Sequence, residues 1–181
     1  IIVFVLQLFI SSFTDFFILD QSSWNQYWRF VSAIFLHGST VHLIYNMFAL
    51  VLFGSILESQ INSRRFLIVF FVSGILANVF AVNFYDSSLG ASGAIFGIIG
   101  ALIVIRPLLP VFAFGLPMPI MLAGILWAGG DILGAIGFFT GNPIDNTGNL
   151  AHLSGMFFGI LLGFIYKKKN VKRTVQQKVR I

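Results

Sequence analysis

Long apolar runs alternate with short polar connections along this chain. The runs cover residues 1–19, 41–57, 66–84, 91–109, 116–138 and 150–166. Each is close to the ~20 residues that an α-helix needs to cross the hydrocarbon core of a bilayer. The pattern predicts an all-α membrane protein, a bundle of six transmembrane helices. Because no long polar segment separates the runs, we expect a single domain over residues 1–181.

Composition indicates insertion into a membrane rather than folding in water. Of the 181 residues, 57% are hydrophobic and 9% are charged. A soluble domain of this size has too little interior to cover so much apolar surface. The absence of cysteine excludes disulfides, thiolate metal sites and a cysteine nucleophile, and we expect no metal and no cofactor. The chain begins with Ile1 inside an apolar run, so we expect it to be trimmed or incomplete.

The basic residues predict the orientation of the bundle. Ten of the eleven fall on one side, namely Arg64, Arg65, Arg106 and the seven in the basic tail 167–181. The other side carries Arg29 and four aspartates, Asp15, Asp20, Asp86 and Asp145. Since lysine and arginine concentrate on the cytosolic side, we expect both termini to be cytosolic in a multi-pass plasma-membrane protein. The net charge of +5 then reflects topology and contact with anionic lipid, not nucleic-acid binding.

The first connection, residues 20–40, is unusually aromatic. It holds Trp24, Tyr27, Trp28 and Phe30 beside Arg29. Aromatic side chains of this kind concentrate at membrane interfaces. Two interpretations stay open: an ordinary aromatic belt, or a loop that lies partly in the bilayer while Arg29 reaches lipid headgroups or caps carbonyl groups.

Gly90-Ala91-Ser92-Gly93 stands where a polar connection turns into the fourth apolar run. Ser92 therefore lies at or just inside a helix N-terminus, where free N–H groups and the helix dipole stabilise a nearby anion. The flanking glycines Gly90 and Gly93 allow another segment to approach the hydroxyl closely. This predicts a nucleophilic serine. The alternatives are a simple N-cap or a helix-packing motif.

Three further polar residues lie at the outer ends of the spans that run parallel to the fourth. His42 and Asn46 open span 2 on one face, four residues apart, and His152 opens span 6. Equal distances from the outer ends imply similar depths. Glycine ridges on spans 4 and 6 allow the two helices to pack closely, which predicts that Ser92 meets His152. The ridges are Gly93, Gly97 and Gly100 on span 4, and Gly155, Gly159 and Gly163 on span 6.

The chemistry available to such a group is acyl transfer. His152 accepts the Ser92 proton, Ser92 attacks a peptide carbonyl, and a tetrahedral oxyanion forms. His42, the Asn46 amide and the Ser92 backbone N–H are the candidate oxyanion donors. Glu58 lies near the inner end of span 2 and Asp131 in the middle of span 5, so no third acid is evident. We expect a Ser–His dyad, and Asp131 has no predicted partner.

These motifs resemble those of the rhomboid family of intramembrane serine proteases across essentially the whole predicted six-helix core. The resembling pieces, in the family's order, are Trp28-Arg29, the His-x4-His-x3-Asn pattern of His37, His42 and Asn46, Gly90-Ala91-Ser92-Gly93, and Ala151-His152-Leu153-Ser154-Gly155 followed by Gly159. The resemblance implies the same roles for Ser92 and His152 as nucleophile and base. It implies that His42 and Asn46 form the oxyanion hole.

The resemblance also implies supporting features. His37 is expected to be a structural residue of the first loop, and Glu58 to brace the inner end of span 2. Phe96 falls where family members often carry a tyrosine that packs on the catalytic histidine, so the phenyl ring can stack but lacks the hydroxyl. A lateral gate is expected from span 5 and the connection 138–149. Glycines in span 5 either loosen this helix or serve as close-packing positions, namely Gly124, Gly129, Gly130, Gly134 and Gly137.

The leading hypothesis is an intramembrane serine endopeptidase that cuts transmembrane substrate proteins near their outer membrane face. Its partners are expected to be transmembrane-helix substrates and the lipid bilayer. One alternative is a non-catalytic rhomboid-like protein that binds membrane helices, whose expected mark would be the loss of Ser92 or His152. A small transporter is the other, although no clear inverted repeat is visible. The sequence gives no prediction of oligomeric state.

Overall fold

The computed structural model describes residues 1–144 and 147–178, with side chains described as far as Lys167. The helices are α1 (Ile2–Phe9), α2 (Phe13–Phe17), α3 (Arg29–Ser32), α4 (Thr40–Ala49), α5 (Ser55–Ile61), α6 (Ser63–Ala81), α7 (Ser92–Ile105), α8 (Ile120–Phe139) and α9 (Asn149–Lys178). Two short antiparallel pairs join β1 (Leu19–Asp20) to β2 (Ser87–Ser88) and β3 (Pro110–Ala113) to β4 (Leu116–Pro119). Asp145 and the tail side chains after Lys167 lie outside the described residues.

Four helical segments are long and apolar enough to cross a bilayer. They are Thr40–Ile61, Ser63–Ala81, Ile120–Phe139 and Asn149–Lys167. The first of them is continuous through α4, a π-helical turn at Leu50–Gly54 and α5. The predicted spans 2, 3, 5 and 6 are therefore present as helices, and the chain is an integral membrane protein.

The first predicted span is not one helix. α1 and α2 are separated at Ser11 and Ser12, and Ser12 adopts a left-handed backbone conformation with φ of 66°. Serine competes with the helix for backbone hydrogen bonds, so this pair interrupts an otherwise apolar run. The prediction of a single helix over residues 1–19 is wrong, because it counted hydrophobicity and overlooked the serines.

The fourth predicted span is shorter than expected, and the fifth begins later. α7 has 14 residues and ends at Ile105 rather than at residue 109. Pro107 follows closely, and the residue before a proline is driven out of the helical region; Arg106 has φ of −137° and ψ of 61°. The chain then forms the β3–β4 hairpin, so α8 begins at Ile120 instead of residue 116. Six full-length transmembrane helices are therefore not found among the described residues.

α7 is the centre of the bundle. Most of its residues are buried, and it lies against both α6 and α9. A Cβ atom added at Gly155 would collide with the Gly93 carbonyl oxygen, and one added at Gly159 would collide with that of Gly97. The two backbones are thus in direct contact, as the glycine ridges predict. This contact brings the first turns of α7 and α9 together.

The first loop packs onto the segment that precedes α7. β1 pairs with β2, and the Gly90 N–H donates a hydrogen bond to the Ala33 carbonyl oxygen at 2.9 Å. Asn78 on α6 holds the loop from beneath, because its Nδ2 donates to the Phe30 carbonyl oxygen at 2.8 Å. These bonds fix the position of the chain that enters α7.

Candidate functional site

Ser92 is the first residue of α7, and its side chain does not cap the helix. The N-cap residue is Ala91, without a side-chain capping bond. The Ser92 Oγ instead lies 2.8 Å from His152 Nε2. The interpretation of Ser92 as only an N-cap is therefore wrong. The first N–H groups of α7 have no partners within the helix at this end.

His152 lies in the first turn of α9 with both ring nitrogens in contact with side chains. Its backbone N–H donates to the Gly148 carbonyl oxygen at 3.0 Å, and the residue is 8% exposed. Phe96 stacks on the ring, with centroids 4.3 Å apart and planes at 9°. Nε2 faces Ser92, and Nδ1 lies 3.1 Å from Asp131 Oδ1. The ring is held on three sides.

Asp131 is the residue that sequence reasoning missed. The expectation that no acid accompanies Ser92 and His152 is wrong, because Asp131 on α8 contacts the imidazole. Asp131 lies eight residues before the end of α8, whereas His152 lies three residues after the start of α9. At a rise of 1.5 Å per residue, α8 extends about 7 Å beyond α9. Counting residues from the outer helix ends therefore does not predict that Asp131 and His152 lie at the same depth. The one signal in the sequence is a carboxylate in the middle of a membrane span, which indicates a functional role.

His42 lies at the start of α4 beside Gly90. The Gly38 N–H donates to His42 Nδ1 at 3.4 Å, so Nε2 carries the ring proton in the neutral tautomer. Gly90 has φ of 123°, and a Cβ built on it would lie 2.8 Å from Cε1 and 2.9 Å from Nε2 of His42. The donor nitrogen of His42 therefore lies against the loop that carries Ser92.

Asn46 lies one turn below His42 and is buried. Its Nδ2 donates to the His42 carbonyl oxygen at 3.0 Å, which leaves one amide hydrogen and Oδ1 for other partners. A cavity of about 680 Å³ is lined by Asn46, His42, Ser92 and His152. The four polar side chains predicted to meet at one depth thus share one cavity. The described residues contain no group of three His, Asp or Glu side chains that could hold a metal ion.

His37 supports the position of His42 from the first loop. The two rings are in edge contact with centroids 5.2 Å apart. Gln7 on α1 brackets the His37 backbone, because its Oε1 accepts from the His37 N–H at 3.0 Å and its Nε2 donates to the carbonyl oxygen at 3.3 Å. Burial, followed by the neighbouring His42, lowers the pKa of His37 from 6.5 to about 4. His37 is therefore neutral near pH 7.

Arg29 holds the first loop together from inside. Its guanidinium donates to the Ile18 carbonyl oxygen at 3.0 Å and to the Asp20 carboxylate at 2.6 Å. Burial raises the pKa of Asp20, but hydrogen bonds from Ser22 and the Arg29 charge outweigh this and lower the pKa overall. The sequence predicts that Arg29 either reaches lipid headgroups or caps carbonyl groups. The structure shows the contact with a carbonyl group. Trp28 is exposed and stacks on Phe16 at 5.8 Å.

Glu58 and the glycines of α8 complete the predicted site residues. Glu58 is half-buried in α5, and no hydrogen bond or ion pair of its carboxylate is found among the described residues. The added Cβ of Gly124 would touch Ile103, that of Gly134 would touch Asn149, and that of Gly137 would touch the Asn142 carbonyl oxygen. Gly129 and Gly130 face open space. Three of the five α8 glycines are therefore close-packing positions.

The fold and the site together define a helical membrane protein with a hydrogen-bonded serine and histidine in the wall of a cavity. The family model for the rhomboid domain matches residues 24–169. The chain therefore belongs to the rhomboid family.

Two curated relatives illustrate the similarity. RHOMBOID-like protein 6, mitochondrial, of Arabidopsis thaliana is 32% identical over 143 residues, which cover 78% of this chain and 44% of that protein. Rhomboid protease GlpG of Yersinia pseudotuberculosis serotype I (strain IP32953) is 27% identical over 158 residues, which cover 87% of this chain and 54% of that protein. The chain thus spans about half the length of the curated relatives it matches.

Proposed function

We propose that this chain is an intramembrane serine endopeptidase in which Ser92 is the nucleophile and His152 is the general base. The observation that carries the proposal is the 2.8 Å contact between Ser92 Oγ and His152 Nε2 in the wall of the cavity. A serine and an imidazole within hydrogen-bond distance form the minimal unit of nucleophilic acyl transfer. Membership of a family that includes the GlpG protease supports the same reaction.

The reaction proceeds through an acyl-enzyme. Ser92 Oγ forms a bond to the scissile carbonyl carbon while its proton passes to His152 Nε2, and the carbonyl oxygen becomes an oxyanion. The C–N bond then breaks, and His152 gives its proton to the leaving amine. A water molecule next loses a proton to His152 and attacks the ester. The carboxylic acid product leaves when Ser92 takes that proton back.

The oxyanion is stabilised by donors from three residues that line the cavity. His42 Nε2–H, the remaining amide hydrogen of Asn46 and the Ser92 backbone N–H are the proposed donors. The Gly38 bond to His42 Nδ1 supports this role, since it leaves the ring proton on Nε2. Because Ser92 begins α7, the helix dipole adds positive potential at the same point.

The length of α7 supports a site inside the bilayer. Fourteen residues span about 21 Å, whereas the hydrocarbon core is about 30 Å thick. With Arg106 at the inner surface, Ser92 lies about 10 Å below the outer surface. We propose that α7 and the broken α1–α2 segment complete a six-segment bundle with both termini in the cytosol, and that the host is the plasma membrane. Cleavage then falls near the outer end of the substrate helix.

Substrate entry is proposed between α4 and α8, past Tyr45 and Trp127. Both residues line the cavity, and α8 is the proposed moving element. A substrate helix must unwind locally to expose a carbonyl group, because an intact helix keeps its carbonyl groups hydrogen-bonded. The non-catalytic alternative is disfavoured by the presence and contact of both Ser92 and His152.

The proposal is tested by labelling and cleavage of detergent-solubilised protein. We expect a fluorophosphonate probe to label the wild type, and the label to disappear in Ser92→Ala. Cleavage of a single-span model substrate should be lost in both Ser92→Ala and His152→Ala, with unfolding temperatures close to that of the wild type. Cleavage that persists in Ser92→Ala would refute the proposed function. Lys167→Met, at the far end of the apolar segment Asn149–Lys167, serves as the control and should cleave normally.

A further inference from the structure

We infer that Asp131 is a positioning residue that holds His152 in the tautomer needed for proton transfer, and that the site is therefore a Ser92–His152–Asp131 triad. This inference rests on the proposed function. The evidence is the contact of 3.1 Å between Asp131 Oδ1 and His152 Nδ1, made between α8 and α9. Both side chains are buried, with 9% and 10% of their surfaces exposed.

The contact determines which ring nitrogen carries the proton. An ionised carboxylate only accepts hydrogen bonds, so the neutral imidazole must carry its proton on Nδ1 and donate it to Asp131. Nε2 then has a free lone pair directed at Ser92 Oγ, 2.8 Å away. In the opposite tautomer, Nε2 would carry a hydrogen and could not accept the serine proton. Asp131 thus selects the reactive form of the base.

Asp131 also stabilises the charge that forms during reaction. When Ser92 transfers its proton to Nε2, His152 becomes an imidazolium that keeps the Nδ1 proton. That cation lies against the Asp131 carboxylate in an apolar interior, where charge interactions are strong. Among the described residues, His42 also interacts electrostatically with the ring, and a proton on His42 would oppose the same charge. Phe96 fixes the plane of the ring but does not select a tautomer.

A purely structural role explains this carboxylate less well. Asp131 Oδ2 has no hydrogen-bond partner among the described residues, so the group does not tie several elements together. An ionisable side chain in a membrane helix is costly and needs a compensating role. Among the described residues, the imidazole is the group that Asp131 contacts by hydrogen bond or ion pair. The contact with the proposed general base supplies that role.

The test combines kinetics with the protonation state of the His152 imidazole in the chain of residues 1–181. Asp131→Asn keeps the side-chain shape, but its amide can donate to Nδ1 and favour the wrong tautomer. We expect kcat for a single-span substrate to fall about 10- to 1000-fold, with KM within about twofold and the unfolding temperature nearly unchanged. Lys167→Met is the matched control, because it also removes a charged hydrogen-bonding side chain. Lys167 donates to the Val104 carbonyl oxygen and lies at the inner end of the apolar segment Asn149–Lys167, far from His152. Its kcat should equal that of the wild type.

Nitrogen-15 spectra of the histidine rings provide a readout that a structural role would not change. We expect neutral His152 in the wild type to be protonated on Nδ1, and protonated on Nε2 in Asp131→Asn; His152→Ala assigns the signals. A wild-type ring protonated on Nε2 would overturn the inference without any variant. So would an unchanged kcat in Asp131→Asn, or a loss of kcat that Lys167→Met shares. Cleavage that persists in Ser92→Ala would instead refute the proposed function on which this inference rests.

Discussion

The phenyl ring of Phe96 lies flat against the imidazole of His152, with centroids 4.3 Å apart and planes at 9°. Phe96 follows Ser92 by four residues on α7, so both face α9 from the same side of the helix. Family resemblance led us to expect a ring here without the hydroxyl group of tyrosine. The structure shows this stacking, which requires an aromatic ring face but no hydroxyl group.

Removal of this aromatic face should slow the reaction. A ring face attracts a cation by roughly 0.5–2 kcal/mol, and His152 becomes cationic only after it takes the serine proton. Phe96→Leu keeps apolar volume but loses the ring, so we expect kcat to fall about 2- to 30-fold. Phe96→Tyr should retain activity. Steady-state cleavage assays measure kcat of both variants. If Phe96→Leu and the wild type have equal kcat, the ring contributes only its volume.

Substitution of Gly90 should disrupt His42. Gly90 has φ of 123°, and an added Cβ would lie 2.8 Å from the His42 ring. We expect Gly90→Ala to destabilise the protein by about 1–3 kcal/mol through backbone strain, and to reduce kcat at least tenfold because the oxyanion donor moves. Thermal unfolding and cleavage rates measure the two effects separately.

Gly115→Ala is the matched control for Gly90→Ala. Gly115 also has a positive φ, 79°, but no atom lies within 4 Å of its added Cβ. It should therefore show the strain without the loss of kcat. If both variants lose activity equally, displacement of His42 does not explain the effect.

The contact between α7 and α9 should not tolerate a methyl group. A Cβ at Gly159 collides with the Gly97 carbonyl oxygen, and overpacking of this kind costs about 1–3 kcal/mol. We expect Gly159→Ala to unfold at a lower temperature in detergent and to cleave more slowly, since the helices that carry Ser92 and His152 are pushed apart. Gly129→Ala is the control, because its Cβ meets no atom within 4 Å and alanine favours a helix by up to about 1 kcal/mol. Equal stability of the two variants would contradict the packing argument.

Much of this arrangement could be predicted from the sequence, for specific physical reasons. Apolar length predicts α6 and α8, and glycines four residues apart predict the α7–α9 contact that joins Ser92 to His152. Asp131 could not be paired in this way, because the relative heights of helix ends depend on packing and not on local pattern. The length of the apolar run could not reveal the break at Ser12 either. Hydropathy is averaged over many residues and carries no information about the backbone conformation of a single one.

Acidification should destabilise the protein through His37. Burial lowers the pKa of His37 to about 4, against 6.5 for the exposed group. Below pH 6.5 the unfolded chain takes up this proton while the folded protein does not, so His37 contributes stability above pH 6.5 that is lost as the pH falls toward 4. We expect the unfolding temperature to drop across this window.

The control for this pH dependence is His37→Asn, which cannot titrate there. Asp20 also has a lowered pKa, but its contribution remains in both proteins and cancels from the difference. The wild type and the variant should therefore differ in the slope of unfolding temperature against pH between 6.5 and 4. Identical slopes would show that His37 does not remain neutral in the folded state.

The proposed oxyanion donors should act on the transition state rather than on substrate binding. His42 and Asn46 line the same cavity as Ser92. Loss of one oxyanion donor typically lowers kcat by about 10²- to 10³-fold, with smaller losses where other donors remain. We expect His42→Ala and Asn46→Ala each to reduce kcat about 10- to 1000-fold with little change in KM. Asn46→Ala also removes the bond to the His42 carbonyl oxygen, so its unfolding temperature must be measured beside its rate. Ile44→Ala lies on the same helix with a 60% exposed side chain and should cleave at the wild-type rate. If neither His42→Ala nor Asn46→Ala changes kcat, the oxyanion is held by backbone N–H groups at the start of α7 alone.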